Sequence, residues 1–363
     1  MVESCDAGSL PFVGDFEKFS EGASKHGLVI SEATRFFEKK IVDGFVEKVK
    51  AGIEVANYPQ YRDMNKMFFD MIEGLEKVNG GYIETAALSL KKGSGAIPEA
   101  SVIKNCSKEI YEKLGQPFKL RICITGPYTM SSFFAYKDKG TFPRLGNVLT
   151  QIIENNVFDS KQGGVRLVSV DEPVFGFVDD PLLDRGSEGR ENLLKAWESI
   201  MGKIRAKGAR ACLHLHNTSD ELFWEVKALN VIESHVNDAF YQAKRTKELL
   251  ESTDKFMKAS ITVTDFDQLI RNRVIAKSQQ KLNEISVNEK IADAWKRLNK
   301  NEIDPAIFIE DTELMKERLN KAIETFGANR VLYAGPECGM RGFPTYESAL
   351  ECLRRVSKTV RAN

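Results

Sequence analysis

Residues 210–238 read RACLHLHNTSDELFWEVKALNVIESHVND, and this stretch holds three of the four histidines in the 363-residue chain. In a β-strand, the side chains of Cys212, His214 and His216 point to one face, whereas the leucines between them point to the other. A second apolar run ends at Glu233, and a strand there brings its carboxylate alongside the histidines. Imidazole, thiolate and carboxylate are usual zinc ligands. The stretch therefore predicts two neighbouring strands with packing on one face and chemistry on the other.

Short runs rich in Val and Ile alternate with longer amphipathic segments along the whole chain. This alternation predicts repeated βα units and a parallel sheet. The predicted strands are 4–10, 52–57, 119–125, 165–171, 211–216, 231–234, 256–264 and 330–334. Their number indicates an α/β fold of the (β/α)8 TIM-barrel class. Each run ends in a polar or Gly/Pro-containing turn, and in a barrel these ends meet at the C-terminal face, where active sites are built.

Amphipathic segments between the strands predict an outer ring of helices. These segments are 32–51, 64–78, 146–156, 189–207 and 312–326.

Two stretches exceed what a minimal barrel needs. Residues 79–116 contain two apolar runs separated by the turn-like 91–95, which predicts a hairpin near the barrel mouth. Residues 268–305 are highly charged with helical spacing, which predicts a helical insertion after the seventh strand. No repeat or linker interrupts the pattern, so we expect one catalytic barrel domain over 1–363.

The composition indicates a globular protein with a small substrate. Lys+Arg and Asp+Glu both number 52, so no basic surface indicates nucleic acid or an anionic membrane. A mean hydropathy of −0.31 also predicts no membrane span. Residues 1–14 lack a basic segment followed by an apolar one, so we expect no secretory signal and a cytoplasmic location. The scattered cysteines agree with a reducing compartment.

Two further strand ends complete a set of four zinc ligands. A lone His-x-His on a strand is more often packing than a metal site, but Glu233 and Cys338 add a carboxylate and a thiol. Cys338 follows Gly-Pro-Glu and precedes Gly, so it lies in a tight turn. The predicted Zn²⁺ ligands are His214, His216, Glu233 and Cys338.

Two neighbouring residues leave alternatives open. Cys212 shares the face of His214 and is an alternative ligand, although its deeper position favours a buried core thiol. His235 lies just past a strand end, where spacing does not determine direction, so a ligand, an acid and a surface residue all remain open. For His235 we favour a role beside the metal ligands, without contact to the metal, or no functional role.

Other strand ends carry candidate substrate-binding groups. Asp171-Glu172-Pro173 follows a buried apolar run, and Ser9 lies in Gly-Ser-Leu-Pro. Each motif alone is an ordinary turn or helix cap, and their shared place at the mouth favours a functional role. The chain has no P-loop, dinucleotide fingerprint or Gly-x-Ser-x-Gly elbow, which disfavours nucleotide chemistry and a serine triad.

Taken in order, the strand ends resemble the cobalamin-independent methionine synthases in their C-terminal catalytic barrel. The shared motifs are Gly-Ser-x-Pro at 8–11, Thr-Gly-Pro-x-Thr at 125–129, Asp-Glu-Pro at 171–173, His-x-ligand at 214–216, Glu at 233 and Pro-x-Cys-Gly at 336–339. They cover almost the whole chain. Each motif is weak alone, whereas the ordered set is fairly specific.

The resemblance implies zinc-dependent transfer of a methyl group to a thiol, with homocysteine giving methionine. The zinc ligands would be the four residues named above. Ser9 and Asp171 would hold the two ends of the amino acid, and Glu172 and Gln60 are further expected substrate contacts. Asp171 and Asp267 are the expected catalytic residues.

The chain departs from the family in four places. His216 stands where the family usually has cysteine, so the bound thiolate should be less nucleophilic. The substrate-binding Glu after the second strand is not evident in 58–64, which contains Gln60. Asp267 replaces the proposed proton-donating histidine after strand seven. The folate-binding N-terminal half is absent, so the chain resembles the short single-barrel forms, for which a methylated corrinoid protein is an expected donor and partner.

Two alternative functions remain at this stage. The first is alkyl or methyl transfer to another thiol such as coenzyme M. The second is a non-catalytic zinc-binding partner of a corrinoid protein, with 268–305 as its contact surface.

Overall fold

The computed structural model describes residues 1–242, 244–278 and 282–363, so residues 279–281 of the predicted insertion lie outside the described chain. The strands are β1 Glu3–Ser4, β2 Val55–Asn57, β3 Ile72–Val78, β4 Gly81–Leu90, β5 Phe118–Thr125, β6 Gly163–Glu172, β7 Arg210–Leu215, β8 Val231–Glu233, β9 Phe256–Thr262 and β10 Val331–Pro336.

Eight of these strands form one parallel sheet in the order β1-β10-β9-β8-β7-β6-β5-β2. Parallel bridges from Cys5 to Val55 and from Ser9 to Gln60 bring the two edges together. The predicted barrel is therefore confirmed as a nearly closed (β/α)8 fold. The first strand is much shorter than the predicted 4–10, because regular pairing with β10 covers only its first residues.

A buried ion pair fastens the short seam between β1 and β2. Lys48 Nζ donates to Asp6 Oδ2 at 2.7 Å and to the carbonyl oxygens of Gly8 and Asn57 at 2.5 and 3.2 Å. Asp6 Oδ1 in turn accepts from the Asn57 N–H at 2.6 Å. Both charged side chains are fully buried. These contacts join the two chain segments where the regular strand ladder is brief.

The helices surround the barrel or cover its mouth. They are α1 Phe16–Lys25, α2 Glu32–Lys50, α3 Lys66–Phe69, α4 Pro98–Asn105, α5 Ser107–Leu114, α6 Pro127–Ser131, α7 Thr141–Asn156, α8 Glu188–Ala206, α9 Lys244–Ser252, α10 Phe266–Lys277, α11 Glu284–Asn299, α12 Thr312–Phe326 and α13 Tyr346–Arg361. Short 3₁₀ turns lie at Pro181–Leu183, Leu222–Glu225, Ala239–Tyr241 and Pro305–Ile307. Across the described residues, no helix combines the length and apolarity that a membrane crossing requires.

The hairpin exists, but its strands lie earlier in the chain than predicted. The predicted helix 64–78 is wrong: only α3 is helical there, and β3 follows it and pairs antiparallel with β4 across the turn at Asn79-Gly80. Gly74 explains the switch, because it adopts a φ of +87° at a break in the register and a Cβ there would lie 2.7 Å from the Ala87 carbonyl. The rest of the predicted hairpin segment forms α4 and α5.

The hairpin packs beside the C-terminal end of β5. The Tyr82 N–H donates to the Phe133 carbonyl at 2.8 Å, just past α6. Arg144 Nε lies 2.7 Å from Glu84 Oε2, which ties β4 to α7. The hairpin therefore lies near the barrel mouth, as the sequence predicts.

The insertion after the seventh barrel strand is helical, as predicted. It contains α10 and α11, which precede the ring helix α12. Trp295 of α11 packs against Phe266 with ring centroids 5.5 Å apart, and Leu298 is buried. These apolar contacts hold the charged insertion against the barrel.

Replacing Lys48 by Met should destabilise the fold, because the fully buried Asp6 carboxyl would lose its cationic partner. We expect a loss of about 3–5 kcal/mol in the free energy of unfolding, measured by denaturant titration. Lys39→Met is the matched control on the same helix, since its ion pair with Asp43 lies on the exposed surface and should contribute less than about 1 kcal/mol. Equal effects of the two substitutions would contradict the role given to the seam.

Candidate metal centre

A row of polar side chains crosses four neighbouring strands near the barrel mouth. In the parallel register, Asp171 of β6 pairs with His214 of β7, and His214 pairs with Glu233 of β8. Glu233 then pairs with Lys258 of β9. Residues in register on adjacent strands point to the same side of a sheet. The strand register therefore places these four side chains next to one another inside the barrel. Two of them, His214 and Glu233, come from residues 210–238.

Four side chains converge where the strands end. One nitrogen or sulfur atom from each of His214, His216, His235 and Cys338 lies within 4.8 Å of the others. Cys338 Sγ is 3.7 Å from His216 Nε2, and the rings of His216 and His235 have centroids 3.9 Å apart. The group contains three of the four predicted ligands. Its fourth member is His235, whereas the prediction gave Glu233.

The donor set fits a zinc ion in number and in chemistry. Zinc takes four ligands in tetrahedral sites and favours imidazole nitrogen and thiolate sulfur. His235 Nε2 is buried, and within the described chain it has no hydrogen-bond partner. A buried polar atom without a partner is costly. A metal ion bound between these side chains would remove that cost.

Electrostatics favour the thiolate form of Cys338. Burial raises the pKa of the Cys338 thiol, but contacts with His214 and His216 outweigh it and lower the pKa to about 6. Burial likewise opposes protonation of His214, but Glu233 and Cys338 raise its pKa to about 10. The pocket therefore stabilises a negative sulfur next to positive or metal-bound neighbours.

Glu233 lies beside the group with its carboxylate between two cations. Arg121 Nη2 is 2.8 Å from Glu233 Oε2, and Lys258 Nζ donates to Oε1. Burial opposes ionisation of this carboxyl, but Arg121 and Lys258 outweigh it and hold the pKa of Glu233 well below its usual value. All three side chains are almost completely buried. His214 Nδ1 lies 3.4 Å from Oε1, so Glu233 also borders the candidate metal group.

Cys212 lies deeper in the barrel than the histidines on its face. It belongs to a small apolar cluster that fills the barrel interior, formed by Cys5, Val55, Leu167, Cys212, Val231 and Tyr333. Burial raises the pKa of the Cys212 thiol well above its usual value. Both observations are those of a core thiol.

Ser9, Gln60 and Asp171 border the same mouth. The Ser9 backbone carbonyl accepts from the Met340 N–H at 2.8 Å, and a Cβ on Gly339 would lie 2.0 Å from Ser9 Oγ. Only glycine therefore allows the Cys338 loop to approach this serine. Gln60 is bridged to Ser9. Asp171 is a buried residue, and its Oδ1 accepts from Ser169 Oγ at 2.6 Å. The structure brings three predicted substrate contacts to the rim of the metal group.

The geometry gives no support to the predicted substrate contact of Glu172. Its side chain is completely buried. Its carboxylate accepts from the N–H groups of Tyr128 and Thr129 at 3.0 and 2.6 Å and from Trp197 Nε1 at 2.8 Å. These donors occupy both carboxylate oxygens. Glu172 thus fastens the first turn of α6 and the middle of α8 to the end of β6.

The geometry likewise gives no support to the predicted catalytic role of Asp267. This residue is exposed in the first turn of α10. Its Oδ1 accepts from Trp295 Nε1 at 2.5 Å. Asp267 therefore joins the two helices of the insertion.

Sequence reasoning missed Arg121 and Lys258, which pair with Glu233, and Glu337, whose carboxylate accepts from the Val236 and Thr264 N–H groups. Arg121 and Lys258 each lie between apolar residues of a barrel strand, and a charge in such a position needs a buried partner. That signal was available in the sequence. The partner was not, because Arg121 and Glu233 lie on β5 and β8, which are not adjacent. Glu337 is one residue before Cys338 and looks like an ordinary turn residue.

No protein-family profile matches the chain. Curated proteins with similar sequence are named 5-methyltetrahydropteroyltriglutamate–homocysteine methyltransferase. The one from Nitrosomonas europaea is 22% identical over 378 residues, which cover 100% of this chain and 43% of that protein. The one from Paraburkholderia phytofirmans is 22% identical over 333 residues, covering 87% and 37%. The chain thus spans less than half the length of these relatives.

A solved structure shares the fold. The B12-independent methionine synthase from Shewanella sp. W3-18-1, in complex with selenomethionine, matches with a TM-score of 0.62 and 14% identity, covering 100% of this chain and 98% of that chain. The resemblance to cobalamin-independent methionine synthases that the motifs indicate is therefore confirmed by both comparisons.

Removing the thiol of Cys338 should abolish tight zinc binding. We expect purified protein to hold about one zinc per chain, and Cys338→Ala to weaken affinity by more than the about 10–100-fold that loss of an outer-shell partner costs. Chelator competition measures this affinity. Cys212→Ala is the matched control, and its zinc affinity should stay at the wild-type value. If Cys212→Ala weakened zinc affinity and Cys338→Ala did not, Cys212 would be the ligand.

Proposed function

We propose that this protein is a zinc-dependent methyltransferase that moves a methyl group to the sulfur of a small thiol, with homocysteine giving methionine. One observation carries the proposal: nitrogen and sulfur donors from His214, His216, His235 and Cys338 converge within 4.8 Å at the C-terminal mouth of the barrel. Barrel enzymes have their active sites at this face. The similarity to methyltransferases supports the same chemistry.

His214, His216 and Cys338 hold the metal in this proposal, and the fourth ligand is considered below. Zinc bound there supplies a Lewis acid that lowers the pKa of a thiol coordinated to it. His216 contributes a neutral imidazole where the similar family usually has a thiolate. This replacement by itself makes the ligand set less negative by one charge than in that family.

Ser9, Gln60 and Asp171 orient the thiol substrate. Asp171 accepts the substrate's ammonium group, because its carboxylate stands next to His214 in the strand register. Ser9 lies against the Cys338 loop, where its hydroxyl donates to the substrate carboxylate. Gln60 adds a neutral amide beside Ser9. Three fixed contacts align the sulfur with the incoming methyl group, which lowers the entropic part of the barrier.

The transfer itself is a displacement at carbon. The thiol first loses its proton, which passes to the donor atom or to solvent. A sulfur lone pair of the thiolate then forms the new S–C bond while the bond from the methyl carbon to the donor atom breaks, and the donor keeps that electron pair. Glu172 and Asp267 take no part in this step. Glu172 is enclosed by its three donors, and Asp267 is bound to Trp295.

The methyl donor is best sought first among methylated tetrahydropteroylglutamates. The similar proteins described above are named for such a donor, and neither is named for a corrinoid. The expected corrinoid protein partner therefore has no support beyond the resemblance to short single-barrel forms. The relatives are more than twice as long as this chain, so the donor has to be tested directly.

A crossed assay tests the proposal. Zinc-loaded protein is incubated with homocysteine or coenzyme M as acceptor and with methyltetrahydropteroyltriglutamate or methylcobalamin as donor, and the methylated thiols are quantified. We expect methionine from homocysteine. Methylation of coenzyme M alone would reassign the acceptor. Stoichiometric zinc without transfer in any combination would contradict catalysis and favour a non-catalytic zinc-binding protein.

Asp171→Asn should impair substrate binding without loss of metal. Removal of a charge-assisted contact to the ammonium group corresponds to a decrease of about 10–100-fold in kcat/KM for homocysteine. Zinc content should remain at the wild-type value. Asp267→Asn is the control, and its kcat/KM should change by less than about twofold, since this carboxylate faces Trp295. A large loss in Asp267→Asn would restore it as a catalytic residue.

A further inference from the structure

We infer that His235 is the fourth metal ligand, that Glu337 positions its ring, and that Glu233 is a buried structural anion outside the metal shell. The inference rests on the proposed function, because it requires a metal at this site. It assigns the fourth ligand position to His235 instead of Glu233, and it gives Glu337 the role of orienting His235.

The two ring nitrogens of His235 have different surroundings. Nε2 is buried and has no hydrogen-bond partner within the described chain. Nδ1 lies 3.9 Å from Glu337 Oε2. The ring also packs against His216 with a centroid distance of 3.9 Å. Metal-bound histidines commonly present one nitrogen to the metal and the other to a carboxylate. His235 resembles this arrangement: Nδ1 faces the Glu337 carboxylate at 3.9 Å, which is beyond hydrogen-bond distance, and Nε2 is left without a partner.

Glu337 is fixed by backbone groups from two other strand ends. Its Oε2 accepts from the Val236 N–H at 2.9 Å, just after β8. Its Oε1 accepts from the Thr264 N–H at 3.0 Å, just after β9. Glu337 itself follows β10 and immediately precedes Cys338. A carboxylate held at both oxygens has a fixed direction, so it constrains the ring of His235 and the loop of Cys338 together.

Glu233 has both oxygens engaged by cations. Lys258 donates to Oε1, and Arg121 lies 2.8 Å from Oε2. Lys258 Nζ also donates to the Pro336 carbonyl at 2.6 Å, which anchors it between two strands. Moving the Glu233 carboxylate onto a metal would leave two buried cations with weakened pairing, at a high energetic cost. A nearby pair of positive charges also disfavours a dication at the same oxygens. The ion pairing and a metal bond therefore compete for this carboxylate.

The wild-type protein provides the first test. X-ray absorption of the zinc-loaded protein counts sulfur ligands and imidazole rings from their characteristic multiple scattering. We expect one sulfur and three imidazoles. Two imidazoles with an additional oxygen would overturn the inference and make Glu233 the ligand. This measurement does not depend on whether any variant folds.

Substitution of the two candidate ligands provides the second test. His235→Ala should weaken Co²⁺ and Zn²⁺ affinity by more than about 100-fold and should change the visible spectrum of the Co²⁺ protein. His26→Ala, at the only histidine outside residues 210–238, should leave both unchanged. Unaltered metal affinity and Co²⁺ spectrum in His235→Ala would contradict the inference.

A double-mutant cycle separates positioning by Glu337 from general support of the fold. Glu337→Gln should lower zinc affinity by about 10–100-fold in the wild-type background. In the His235→Ala background the same substitution should have little further effect, since the ring it orients is missing. Equal losses in both backgrounds would assign Glu337 a merely structural role. Absence of metal binding in the wild type would reject the proposed function itself, which is a different outcome.

Discussion

The ionic contact of Glu233 with Arg121 and Lys258 is the constraint on which the barrel interior depends. Arg121 comes from β5, Glu233 from β8 and Lys258 from β9, and Lys258 also reaches the Pro336 carbonyl on β10. Breaking such a buried pair leaves an uncompensated charge. A slip of one residue in any of these strands would turn its charged side chain to the other face of the sheet. The ion pairs therefore favour one register, which also fixes where each strand ends.

Two further carboxylates, those of Glu337 and Glu172, form hydrogen bonds at those strand ends. Glu337 binds backbone N–H groups after β8 and β9, whereas Glu172 binds the first turn of α6 and the indole of Trp197. Both are buried, and both accept from groups that the barrel has already placed. The candidate metal ligands extend from this frame. A site on such fixed elements is better pre-organised than one on free loops.

Much of the fold follows from local patterns, because buried parallel strands require apolar runs and their ends carry polar turns. The hairpin strands were misplaced because the apolar residues of 64–78 fit helical spacing, and only the pairing of β3 with β4 decides otherwise. At the site, strand spacing and the turn around Cys338 predict His214, His216 and Cys338, whose donor atoms lie close together in the structure. Spacing does not separate Glu233 from His235, since that choice depends on Arg121, which is far away in sequence. Glu172 shows the same limit of sequence reasoning, because a polar residue at a strand end can hold neighbouring helices in place as readily as it can bind a ligand.

The neutral ligands affect reactivity in two opposing ways. A site with one anionic ligand removes a thiol proton more readily than one with several, because less of the metal's charge is compensated. The resulting thiolate is less nucleophilic, since nucleophilicity falls as the thiol pKa falls. A less reactive sulfur needs closer alignment with the methyl carbon. Holding the two atoms in a fixed geometry can raise the reaction rate by several orders of magnitude. Ser9, Gln60 and Asp171, from three separate strand ends, are the groups in this proposal that supply that alignment.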